Sequence, residues 1–160
     1  MKQFRHTIDT FLEYILVFLM GISVLNVLWQ VITRFLLNNP SSYTEEIARF
    51  LLIWIGLLGA AYGIGKKIHL AIDVLKQRLS EHYRIRIDIL INSFVILFSI
   101  LVMIVGGLTL VILTFELHQI SAALQLKLGY VYLAVPLSGI IMALYSLLNI
   151  AGLIKNVKEA

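Results

Sequence analysis

The chain has 160 residues, 60% of them hydrophobic and 14% charged, with a formal net charge of +4. A soluble domain is roughly 45–50% apolar and about 25% charged, so a soluble globule of this composition would lack a polar coat, and a disordered chain would need far more charge. With no cysteine, a disulfide scaffold, a zinc–thiolate site, an iron–sulfur cluster and thiol catalysis are all excluded. Most of this chain has lipid as its solvent.

A spanning helix needs about 20 mostly apolar residues, and four stretches qualify, at about 11–37, 47–65, 87–115 and 130–153. The predicted fold is therefore an all-α membrane protein, one membrane domain over residues 1–160. The first apolar run follows Lys2, Arg5 and His6 as a signal peptide would. It is too long for a signal core of about 7–15 residues. Its polar stripe of Ser23, Asn26, Gln30, Thr33 and Arg34 recurs at intervals of three or four. Polar groups in hydrocarbon face protein or water, and with no matching acids the stripe reads as interhelical hydrogen bonding, Asn26 and Gln30 above all, rather than as a conduit.

The turn Asn38-Asn39-Pro40-Ser41-Ser42 leads into the second span, and Ser42 with Glu45 fits a capping box. Glu45, Glu46 and Arg49 form the densest charged cluster, with Glu45 and Arg49 in the favoured i,i+4 order. Arg34 is expected to pair with Glu46. The cluster either locks the first hairpin or docks a partner outside the membrane. Gly56, Gly59, Ala60 and Gly63 are small residues that let another helix approach closely; Trp54 reads as an interfacial aromatic.

Between spans two and three, Ile68, Ile72, Leu75 and Leu79 repeat at helical spacing, with His69, Asp73, Lys76 and Arg78 interspersed. The pattern predicts a short amphipathic helix at about 68–79, lying on the membrane lipid with Lys76 and Arg78 at the headgroups; Ser80 could cap span three. Ten of the thirteen lysines and arginines fall on the termini and this segment, so both termini are expected in the cytoplasm. Topology thus accounts for the basic charge, and no nucleic-acid partner is implied. Gly106 and Gly107 allow close approach in span three, and Pro136 is a candidate kink in span four. The four histidines lack metal-ligand spacing, and no nucleophile elbow or P-loop occurs; no cofactor or enzymatic activity is predicted.

The order Arg34-Phe35, Tyr43-Thr44-Glu45-Glu46-Ile47-Ala48-Arg49, Trp54, Gly59-Ala60-Ala61 and His69-Leu70-Ala71-Ile72-Asp73 resembles the small membrane (DctQ-like) subunit of tripartite ATP-independent periplasmic, or TRAP, transporters. Tyr43 stands where that family commonly has tryptophan. The resemblance implies a bacterial inner-membrane scaffold that braces a large membrane subunit and helps a periplasmic substrate-binding protein to dock, through residues such as Arg34, Tyr43, Glu45, Glu46 and Arg49. It implies cation-driven uptake of an organic acid: a dicarboxylate, a keto acid or a sialic acid. The alternative from another class is a free-standing, proton-coupled exporter acting as a homodimer. It would need a membrane-embedded acid facing a cavity, and Glu13 is the candidate.

Overall fold

The structure is a computed structural model that describes residues 2–37, 41–66 and 81–159. The expected turn at Asn38–Pro40, the amphipathic helix at about 68–79 and the Ser80 cap lie outside the described residues. Four spans run antiparallel, up and down. The first is α1 (Lys2–Phe35) and the second α2 (Ser42–Gly65). The third comprises α3 (Glu81–Phe98), a π-helical stretch (Ser99–Gly106) and α4 (Gly107–Glu116) without interruption. The fourth is the short α5 (Leu128–Tyr132) followed by α6 (Ala134–Glu159). All four are long and apolar enough to cross a bilayer. The start of α1 and the C-terminal half of α6 lie at the same end of the bundle, because both reach the end of α2. Three helices begin well before the predicted apolar boundaries, because polar residues such as Arg5 and Asp9 continue the helix and find partners.

Burial is graded across the bundle. In the most apolar 18-residue window, none of α1 is buried inside the chain, whereas half of the fourth span is. The fourth span is therefore the core, with α2 and span three packed on it and α1 leaning on α2. One core cluster joins Leu12, Leu58 and Tyr145; a second joins Ala61, Met103 and Met142. Trp54 packs against the first. It stands about 18 Å into α2 from its start at Ser42, so it is a core aromatic rather than an interfacial one.

Span three shows why a π-helical stretch is needed. From the π-helical stretch onward, its buried residues Ser99, Met103, Gly107 and Val111 repeat every four positions, and Thr114 follows at three. In an α-helix four residues overshoot a full turn by about 40°, so such a row would wind off the interface. The wider i→i+5 turn offsets that drift and keeps the row on the fourth span. Contact is close there: a Cβ on Gly107 would lie 3.0 Å from the Pro136 ring, and one on Gly139 would lie 2.7 Å from Met103 Cβ. Pro136 lies three residues past a one-residue interruption of the fourth span. It has no N–H and its ring clashes one turn back, and the fourth span breaks at Leu133 between α5 and α6.

The start of α2 departs from the capping-box expectation. Ser41 is the N-cap and makes no side-chain cap bond; its hydroxyl lies 2.7 Å from the Thr44 hydroxyl, which also reaches the Ser41 carbonyl at 2.8 Å. The helix starts one residue earlier than the Ser42–Glu45 box requires, which leaves Glu45 exposed.

The glycines divide into two sets by what surrounds them. Gly139→Ala should lower stability by about 1–3 kcal/mol, since Met103 Cβ cannot swing aside. Gly59→Ala and Gly63→Ala, with nothing within 4 Å of the added Cβ, should melt no lower than the parent. Thermal unfolding of the chain in detergent measures both.

Candidate functional site

At the end of the bundle remote from the termini, Glu46 organises the surface. The chain between spans three and four folds into a small closed loop. His118 and Gln125 take left-handed backbone conformations (φ 49° and 56°), and Ile120 pairs with Lys127 in a single β-bridge. Ser121 N–H donates to the Leu126 carbonyl at 2.8 Å, and the Ser121 hydroxyl accepts the Leu126 N–H at 3.2 Å. The loop's tip points its backbone amides at α2, where the Glu46 carboxylate accepts Ala123 N–H at 3.0 Å and Leu124 N–H at 2.9 Å. One side chain on α2 thus holds the only described connection between spans three and four.

This overturns the expected Arg34–Glu46 pair. Two convergent amides satisfy both carboxylate oxygens, and among the described residues no ion pair forms at this end. Arg34, Glu45 and Arg49 are all exposed. The first hairpin is held by neutral bonds instead: Asn26 Nδ2 donates to the Thr44 carbonyl at 2.8 Å, and Trp29 Nε1 to the Tyr43 hydroxyl at 3.0 Å. Gln30 accepts the Thr33 hydroxyl at its own backbone carbonyl, 3.0 Å away, within α1.

The small residues of α2 lie on two faces. Leu58, Ala61 and Gly65 are buried. Gly56 and Ala60 are exposed, and the space that a Cβ would enter at Gly56, Gly59 or Gly63 holds no other atom of this chain within 4 Å. On α1, large side chains from Phe11 to Phe35 are exposed.

The opposite end holds an ionic cluster that pattern reading missed. The Tyr145 hydroxyl donates to Asp9 Oδ1 at 2.5 Å, Lys66 Nζ lies 3.5 Å from Asp9 and 3.2 Å from Glu13, and the Tyr62 hydroxyl donates to Glu13. Arg5 donates to the Gly65 carbonyl and lies over the Tyr145 ring, 5.9 Å from its centroid. Gly65 permits this, since a Cβ there would lie 2.6 Å from the ring. One turn further along α6, Asn149 Nδ2 reaches the Ile64 carbonyl and Asn92 Oδ1, each at 3.3 Å. The available signal was spacing: Arg5, Asp9 and Glu13 stand at i, i+4 and i+8, as Tyr62 and Lys66 stand at i and i+4. His69, Asp73, Lys76 and Arg78 lie outside the described residues. Among the described residues no group of histidines and acids could hold a metal ion.

These features define a multi-pass membrane subunit organised by helix-to-helix contacts, with open packing surface and an ordered loop at one end. Residues 23–156 match tripartite ATP-independent periplasmic transporters, DctQ component. The chain belongs to this family: it is a non-enzymatic small permease subunit of the TRAP type. It is 31% identical to the sialic acid TRAP transporter small permease protein SiaQ of Vibrio cholerae, over 97% of this chain and 88% of the relative. It is also 31% identical to the C4-dicarboxylate TRAP transporter small permease protein DctQ of Rhodobacter capsulatus, over 62% of this chain and 44% of the relative. The isethionate TRAP transporter permease protein DctMQ of Oleidesulfovibrio alaskensis is 30% identical over 71% of this chain, which is 18% of that protein.

Glu46→Ala should free the loop, seen as faster amide exchange at Ala123 and Leu124, while Arg34→Ala leaves both amides protected. Tyr145→Phe removes a bond to a charged acceptor and should cost about 1.5 kcal/mol of stability. Lys66 gives a pH dependence with a definite sign. Glu13, Tyr62 and Asp9 hold its ammonium form and raise its pKa above the ordinary 10.5. Its contribution is therefore complete below about pH 10 and is lost as pH climbs through the raised value; the Lys66→Met variant should lack this alkaline loss in a melting-temperature series.

Proposed function

We propose that this chain works as a scaffold in the inner membrane, with both termini in the cytoplasm. In this reading it braces a larger membrane subunit and contributes its Glu46-held loop to the surface that a periplasmic binding protein meets. The uncovered surface of α2 carries this reading: Gly56, Gly59 and Gly63 are open, and large apolar side chains are exposed along α1. Lipid is as apolar as leucine, so helices in a bilayer associate through close backbone approach and polar bonds. An open small-residue face suits a partner helix. The relative in which the matched segment is 18% of a permease protein supports a large membrane partner.

The cargo is an organic acid, and its identity is set elsewhere. Relatives at 30–31% identity are named for sialic acid, C4-dicarboxylate and isethionate. Similarity in this subunit therefore does not follow the substrate. Coupling to a sodium or proton gradient belongs to the same reading and resides in the partner, because Glu13 is taken up by Tyr62 and Lys66.

Co-purification in detergent tests the brace: a larger membrane protein encoded beside this chain should come with it. Gly59→Leu combined with Gly63→Leu should release that partner while this chain still folds. Glu45→Lys, Glu46→Lys and Arg49→Glu should each leave the complex assembled and slow uptake, with Glu46→Lys the most severe because it also frees the loop. Solute accumulation by vesicles containing this chain alone would overturn the scaffold reading.

A further inference from the structure

At the end of the bundle bearing the termini, α1 and α6 diverge and leave a groove of about 350 Å³ lined by Thr7, Ile8, Phe11, Leu12, Ile141, Leu144 and Tyr145. The exposed atoms of its wall are apolar. Water needs two to four polar partners to be held in such a space, so water does not fill it. Its depth is set by the chain itself: Thr7 to Leu12 form the outermost turns of the first span, level with Gly65 at the end of the second. The outermost turns of a span are where acyl chains give way to headgroups.

The mouth carries a specific charge. Arg5 lies over the Tyr145 ring that forms part of the wall. It is half-buried, and the one hydrogen bond it makes among the described residues is to the Gly65 carbonyl. A guanidinium has five N–H donors. No carboxylate lies within ion-pair distance of it among the described residues: Asp9 and Glu13 pair with Lys66 and accept from Tyr145 and Tyr62. An apolar slot at the acyl boundary with an unpaired cation at its rim matches an amphiphile with an anionic head.

We propose that this groove binds an anionic phospholipid, one acyl chain lying between α1 and α6 and the phosphate facing Arg5. The site does not depend on the transport reading, and the two fail separately. The experiment uses the full chain in phosphatidylcholine nanodiscs. These are doped with diazirine-acyl phosphatidylglycerol or, at equal mole fraction, with phosphatidylcholine carrying the same acyl group. Photolysis followed by peptide mapping should place adducts on residues 7–12 and 141–145. The glycerol lipid should exceed the choline lipid there by about fivefold, the effect of one basic residue on an anionic head. Arg5→Gln should bring the two lipids level, whereas Arg5→Lys keeps the preference. Thr7→Trp, at an exposed rim position, should remove the groove adducts and spare those elsewhere. Three results would each overturn the site: adducts as frequent along Phe18–Leu28 as in the groove, equal labelling by both lipids with Arg5 intact, or a groove that stays unlabelled because a protein segment fills it.

Discussion

Asp9 is the point at which three of the four spans are held together. Its carboxylate takes the Tyr145 hydroxyl from the core helix at 2.5 Å and the Lys66 ammonium from just past α2 at 3.5 Å. In water such a cluster would add little to a well-packed core. In a bilayer, where apolar surface gains nothing by leaving lipid, polar bonds and close backbone contact decide where helices sit. α1 shows this most clearly, because its long apolar stretch is unburied within the chain and its ends are tied by polar groups. Asp9, Glu13 and Arg5 fasten one end, and Asn26 and Trp29 fasten the other.

The two ends of the molecule use one device for different purposes. Glu46 and Asp9 are both acids near helix ends whose oxygens are filled by groups distant in sequence. Asp9 gathers side chains and so joins helices. Glu46 gathers backbone amides and so fixes the shape of a loop. A scaffold needs both: spans at constant separation, and a surface loop of constant shape.

The spans, their number and their family were legible because hydropathy and an ordered set of polar landmarks are local signals. Partner choice was not. Pairing Arg34 with Glu46 was reasonable from charge and proximity, but the competing amides of Ala123 and Leu124 lie 77 and 78 positions away, and no local pattern announces them. Asp9 precedes the apolar run, in a stretch with the composition of a solvated helix end, so hydropathy does not mark it. The stripe of glycines in α2 was visible, yet composition does not reveal which glycines have a neighbour. Gly65, Gly107, Gly129 and Gly139 are crowded by side chains of this chain, and Gly56, Gly59 and Gly63 are not. The row of buried residues at four-residue intervals in span three was also present in the sequence. It conflicts with α-helical geometry, and the conflict is itself the sign of a wider helix.

That wider stretch sets the rotational phase between the two halves of span three. Removing a single residue from Ser99–Gly106 would turn everything beyond it by roughly a quarter of a turn about the helix axis. Gly107 would swing off Pro136, and Phe115, whose ring lies edge-on to Tyr130 at 5.2 Å, would leave that stack. The loop that follows would then reach Glu46 from the wrong side. Length in this part of the span is therefore under tighter control than residue identity, and homologous chains should tolerate exchanged side chains there far more readily than gained or lost positions.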